Sequence, residues 1–408
     1  MTDTPDNDTQ PGGPLAGMRV LDVATVLAGP FGATLLADYG AEVVKVELPG
    51  RGDGLRGFPP FKDGKSLWWK TSQRNKQCVT LDLRQARGAE ILKAMLPHFD
   101  LLIENFRPGT LDNWGLGREV LWQANPQLVI MRVSAFGQSG PYRGRPGFAR
   151  IFEAMGGLTA VSGAEDGEPM HTGAPLGDLI GGLYCAVGAL AALWRRQRDP
   201  QCGGEEIDLS LTESILRLLD VAPAALQQLG QAPARLGNRS PYSAPSAVYR
   251  TQDGHWVTMA GSINAMFANN CAAIGRADLL RDPRFATNAD RVRHERELNG
   301  IFAHWCAARP LAEVIAAFAA ADGTMAPVYT IDQVVRDPQM VAREAIVSAH
   351  DEDFGALSMP NVVPRFARRP ASVRHAGRSI GADNATVYMK YAGLGADDLR
   401  RLEADGVI

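Results

Sequence analysis

From Met18 to Ser134 the chain alternates short apolar, β-branched runs with helical patterns, and that alternation leaves few folds open. MRVLDV, AEVVKVE, CVTLDL, DLLIEN and LVIMRVS read as strands, with helices at FGATLLADYG and from Ala86 to Leu96 between them. Parallel strands need crossover connections and helices supply them, so the pattern predicts βαβ units around a mostly parallel sheet covered on both faces. The expected class is α/β with a Rossmann-like layout. The first strand is followed by LAGPFGATLLADYG and not by G-x-G-x-x-G, so a nicotinamide site is disfavoured even though Glu47 ends the second strand.

A further strand, EEIDLSL, and a helix from about Thr212 to Leu219 follow. The Pro-, Gly-, Gln- and Ser-rich stretch from Ala222 to Ser246 reads as a crossover to a second unit. That unit opens with the hairpin-like AVYRTQDGHWVTMAG, Asp253 and Gly254 at its turn, and continues in helical patterns from about Ala265 to Ala321. TIDQVVRDPQMVAREAI reads as a helix pair, and YMKYAGLGADDLRRLEADGVI as one last helix.

With 45% hydrophobic and 21% charged residues, the 408-residue chain can bury a large core, and its net charge of -3 gives no reason to expect nucleic acid or an anionic membrane as partner. Five cysteines at irregular spacings and seven histidines with no ligand spacing predict no metal site, and reduced thiols point to the cytoplasm. Met1 to Pro14 lacks the basic and apolar regions of a secretory signal and reads as a disordered tail. The apolar stretch from Leu179 to Trp194 is 16 residues, short of the roughly 20 that cross a bilayer, and reads as a core helix. Gly181, Gly182 and Gly188 would let another element approach its backbone.

Two segments suit chemistry. ENFRPGTLDNWGLG ends a strand with Asn105 and Phe106 at the carboxyl edge of the sheet, where ligands of open α/β sheets bind. Arg107 there can hold a phosphate and Phe106 can stack on a planar base, although a solvated surface turn reads as well. In TGAPLGDLIGGLYCAVGALAALWRR, Asp178 is the only charged residue between His171 and Arg195, at the first turn of the apolar helix. A helix-capping aspartate is the plain reading. A carboxylate in that place can also serve as a covalent nucleophile.

Taken in order, LAGPFGATLLADYGAEVVKVE, RNKQCVTLDLR, LLIENFRPGTLDNWGLG, NPQLVIMRVSAFGQSGP, GAPLGDLIGGLYCAVGALAAL and EEIDLSLTESIL resemble the class III CoA-transferases. This is the formyl-CoA transferase and carnitine CoA-transferase family, which also holds the α-methylacyl-CoA racemases. The resemblance runs from Leu15 to about Ile408. It implies a large Rossmann-like CoA-binding domain built from both chain ends (15–221 and 331–408), a smaller inserted α+β domain with its linker (222–330), and an interlocked homodimer. It also implies that Asp178 attacks an acyl-CoA donor and carries CoA as a thioester before a carboxylic acid acceptor takes it. No permanently bound cofactor is expected, since CoA enters as a thioester substrate.

The family's CoA contacts fall on Leu27, Ala28, Leu83, Arg84, Asn105, Phe106 and Arg107. Leu48 and Asn113 replace two arginines, so Arg51 or Arg56 would have to compensate. Phe148 and Ala149 stand where racemases keep a His-Asp pair and where formyl-CoA transferase has Tyr and Glu. Neither can act as a general base, and the resemblance then favours succinyl-CoA or a similar diacid thioester as donor and a dicarboxylate as acceptor. Glutarate, malate, citramalate, mesaconate and itaconate are the expected acceptor types, with Arg143, Arg145, Arg150 and His171 available for the distal carboxylate. Intramolecular transfer within one unsaturated diacid, racemisation, or acyl-CoA binding without catalysis are the alternatives.

Overall fold

The computed structural model describes residues 12–408, which form two compact units. The first comprises residues up to 158, 172–229 and 342–408; the second comprises 159–171 and 230–341. Residues 1–11 of the expected tail lie outside the described residues. Of the other three, Gly13 is buried so tightly that a Cβ would stand 2.4 Å from the Tyr39 carbonyl oxygen.

In the first unit, six strands make one parallel sheet: β1 (Arg19–Asp22), β2 (Glu42–Glu47), β3 (Lys76–Thr80), β4 (Leu101–Glu104), β5 (Val129–Ser134) and β6 (Glu205–Ser210). Their spatial order is β3-β2-β1-β4-β5-β6. β4 and β5 are buried at every position, as strands of a doubly covered sheet are, with Glu104, Arg132 and Ser134 the buried polar residues among them. Alternate residues face opposite cores. Leu21, Val44 and Leu102 pack with helix α2 (Ala86–Met95) and the carboxyl-terminal residues, while Val20, Val43 and Leu101 pack with α1 (Ala28–Asp38) and Cys185.

The face covered by α1 also holds α3 (Ala149–Met155), α4 (Leu176–Arg198) and α5 (Leu211–Leu216). Helix α4 is 23 residues long, because its first turn and its arginines extend the apolar stretch at both ends. By length and composition it is able to span a bilayer, so the length argument made from the apolar stretch does not hold. Its glycines do what the sequence suggested. A Cβ on Gly182 would stand 3.0 Å from both Ala28 O and Gly32 N, and one on Gly32 would stand 2.7 Å from Cys185 Sγ. The α1 and α4 backbones therefore meet along a seam of small residues.

The expected single last helix is two, Asn384–Ala392 and Ala396–Ala404, because Gly393 takes φ +64° and ends the first. The expected helix pair is confined to Ile331–Val334 and Pro338–Ala342; from Ile346 the chain forms an antiparallel hairpin, Ile346–Asp351 with Gly355–Pro360, that the sequence reading missed. In the second unit the hairpin Ser246–Arg250 and Trp256–Ala260 forms as read, joined by Met325–Pro327 and packed by helices around Phe267, Phe285, Phe302 and Phe318.

Candidate active site

Strand order reverses on either side of β1 and β4, and the loops leaving their carboxyl ends, Thr25–Leu27 and Asn105–Arg107, open a crevice at that switch point. Two cavities lie there. One, of about 310 Å³, is lined by Leu48, Arg51, Leu83, Arg84 and Trp114 among others. The second, of about 230 Å³, is lined by Leu27, Ala28, Asn105, Arg107, Arg143, Arg145, Phe148 and Asp178. Thr25, Val26 and Phe106 line both and form the wall between them.

Asp178 is the third residue of α4 and not its cap; the preceding Pro175 provides no side-chain cap either. Glu153 of α3 takes that duty. Its carboxylate, 2% exposed, accepts the Gly177 N–H at 2.8 Å. Gly177 has room for nothing larger, since a Cβ there would stand 2.4 Å from the Phe152 ring.

Burial first, and then the Glu153 charge, push the Asp178 carboxyl up to about 7. A carboxyl raised in the folded chain binds a proton that the unfolded chain has already released, so its ionisation costs stability as pH rises through that window. Asp178→Asn is accordingly expected to stabilise the protein at pH 8 by about 1–2 kcal/mol after solvent screening, and hardly at all at pH 4. Thermal unfolding of both chains at the two pH values checks this. Equal gains at both would show that the charge is not the cause.

Of the residues expected to bind CoA, the structure gathers Leu27, Ala28, Asn105, Phe106 and Arg107 around the Asp178 cavity, and Arg51, Leu83, Arg84 and Phe106 around its neighbour. Phe148, 72% exposed, lines the Asp178 cavity. Arg150 is exposed and lines neither cavity. His171 belongs to the second unit, its ring 3.4 Å from the Thr159 hydroxyl.

Several of these side chains have duties the sequence did not disclose. The Asn105 amide is committed to Thr25, accepting its N–H at 2.7 Å and donating to its carbonyl at 2.8 Å. Arg84 is held two-pronged by Asp82 at 2.7 and 2.8 Å, so part of its charge is already answered. Arg56, the other arginine expected to compensate for Leu48, is already engaged. It binds Glu47 through two 2.6 Å hydrogen bonds and lies 3.6 Å from the Trp69 ring centroid. Arg51 faces the cavity instead. Glu47, its side chain fully enclosed, has no freedom to meet a ribose. Asn113 lines neither cavity.

Sequence reasoning passed over Glu153, Val26 and Asp53. Glu153 carried a signal, an acid between the apolar Phe152 and Ala154 of a short helix, but its target lies 24 residues on. Among the described residues no three His, Cys, Asp or Glu side chains gather closely enough to hold a metal ion.

The model of CoA-transferase family III matches residues 15–384. The chain is 41% identical over 403 residues to succinyl-CoA–D-citramalate CoA-transferase of Chloroflexus aurantiacus, covering 98% of this chain and 99% of that one. It is 31% identical over 409 residues to succinyl-CoA:glutarate CoA-transferase of Mus musculus, covering 100% and 93%. The crystal structure of a CaiB/BaiF family protein from Brucella suis superposes with a TM-score of 0.80 at 28% identity, covering 93% of this chain and 100% of that one.

Proposed function

The chain belongs to CoA-transferase family III, and from that premise we propose that it moves CoA from succinyl-CoA or a similar diacid thioester to a dicarboxylic acid through an aspartyl-CoA thioester on Asp178. One observation carries the reading: a partly buried carboxylate and three arginines line the same cavity. Among the described residues, none of Arg107, Arg143 and Arg145 is paired with a carboxylate, so their charge is free for an anionic ligand. Arg145 lies over the Tyr142 ring, 3.8 Å from its centroid, which holds the guanidinium without neutralising it.

In this reading the nucleotide end of CoA occupies the cavity with Arg51, Arg84 and Phe106, and its thioester end passes the Thr25–Val26 wall to Asp178. The carboxylate attacks the thioester carbonyl, forming a mixed anhydride and expelling CoA thiolate. The thiolate attacks the Asp178 acyl carbon and displaces the donor acid. The acceptor carboxylate then attacks the aspartyl thioester, again releasing thiolate, and the thiolate takes the acceptor's acyl carbon and returns Asp178 to a carboxylate. The main-chain N–H groups of Ala28 and Gly29 open α1 without a side-chain cap, which suits them to the oxyanions of these steps.

Arg143 and Arg145 are assigned to the distal carboxylate of donor and acceptor. The relatives act, by their names, with succinyl-CoA and with citramalate or glutarate, which supports the diacid class. The side chains of Phe148 and Ala149 have no group that could abstract an α-proton, so the cavity favours transfer over racemisation. An interlocked homodimer is part of the same proposal, and the outward row of α4 supports it, with Leu183, Val187 and Trp194 at 48%, 62% and 62% exposure.

The test is transfer from succinyl-CoA to glutarate, citramalate and a monocarboxylate of equal length. Replacing Arg143 and Arg145 together by Gln is expected to raise KM for the two diacids by about 10- to 100-fold, the range of a lost charge-assisted hydrogen bond, with little effect on the monocarboxylate. A wild type that accepts the monocarboxylate as readily as the diacids would sink the assignment.

A further inference from the structure

Val26, in the wall between the cavities, has φ +64°. A β-branched residue in the left-handed region is a true outlier and persists only where its surroundings over-determine it. Here they do. Its N–H donates to both oxygens of the Asp53 carboxylate, at 3.0 and 3.2 Å. Asp53 is 4% exposed and its charge is met by Lys45 Nζ at 3.0 Å, a side chain with no exposure at all. Lys45 in turn donates to the carbonyl of Ala24. Thr25, between them, has both backbone groups held by Asn105. Three consecutive residues are thus gripped by side chains from three separate places, β2, the loop after it and the end of β4.

A grip of this density is more than a turn of this length needs to fold, and it acts on the segment that both cavities share. We propose that Asp53, backed by Lys45, is a positioning residue for bound CoA. It holds Val26 in the left-handed conformation so that the Thr25–Leu27 turn sets the path from the nucleotide cavity to Asp178. The inference rests on the reading that CoA spans both cavities.

The experiment is a double-mutant cycle read by the affinity for CoA itself, measured by calorimetry on the full chain. Glycine takes a positive φ without penalty, so Val26→Gly removes the need for the clamp. Asp53→Ala is expected to weaken CoA binding about tenfold or more in the chain with Val26, and less than about threefold in the chain carrying Val26→Gly. Equal losses in the two backgrounds would overturn the clamp. They would mean that Asp53 matters only as the cap of the turn Gly54–Gly57, where it also accepts the Leu55 N–H at 2.8 Å. Should Asp53→Ala fail to fold, Asp53→Asn keeps one acceptor for the Val26 amide and drops the charge on Lys45, and the same comparison is made with it. A wild-type chain that binds no CoA would instead overturn the reading of the cavities, so the two failures are told apart.

Discussion

Asp178→Asn transfers CoA at a rate lower than wild type by about 10³-fold or more, the scale on which enzymes lose rate when a covalent nucleophile is removed. Incubated with succinyl-CoA and no acceptor, the wild type gains a CoA-sized mass that hydroxylamine removes, and the variant gains none. The substitution leaves the helix start intact, because Glu153 and not Asp178 holds the Gly177 amide. Loss of activity therefore cannot be blamed on unfolding, and the gain in stability expected of the variant at pH 8 makes that point independently. The adduct on wild type should form faster as pH rises through about 7, where the buried carboxyl loses its proton. A variant that still acquired the adduct would place the covalent step elsewhere, and no adduct on either chain with any diacid thioester would end the covalent reading.

Gly182→Ala is the second large effect. Gly182 lies one turn after Asp178 on the same face of α4. Its missing side chain lets α4 close on the first turn of α1, and an added Cβ would stand 2.7 Å from Phe31 and 3.0 Å from two backbone atoms of α1. A side chain can swing away, but helical backbone can only move as a whole, so the two helices must part. We expect about 3 kcal/mol of destabilisation, the upper range for overpacking a tight core, seen as a melting temperature several degrees lower. Because the same seam brings Asp178 into one cavity with Leu27 and Ala28, protein that remains folded should also form the CoA adduct more slowly. Unchanged melting and unchanged adduct formation would show that the helices yield at no cost and that the seam does not place the nucleophile.

The six-strand sheet was legible because each strand declares itself locally, as an apolar run between turn residues, and because parallel strands force helices between them. Asp178 drew notice because a lone charge in a long apolar segment has few explanations, and the fold sets it in the lining of a cavity. What the sequence could not disclose was partnership. Arg51 and Arg56 are equivalent on paper; only the fold gives Arg56 to Glu47 and leaves Arg51 facing the cavity. Asn105, expected as a ligand contact, lines the Asp178 cavity and also secures Thr25. Nothing about Val26 announces a positive φ, since valine is among the residues least suited to it. The break at Gly393 and the hairpin from Ile346 did have local signals, in a glycine followed by a second helical start and in alternating polarity, but the more prominent helical pattern on each side masked them.

Glu153 and Asp178 divide between them what one acidic residue at a helix start usually does alone. The first is a permanent fixture, bonded to the backbone whatever the second is doing. The second has no hydrogen bond or ion pair among the described residues, so the proposed passage from carboxylate to anhydride to thioester and back would leave the architecture beneath it still. For a protein engineer this marks position 178 as a socket. A different reactive group placed there would inherit the cavity, its arginines and an already anchored helix, and would have new chemistry to do without a new fold to stabilise.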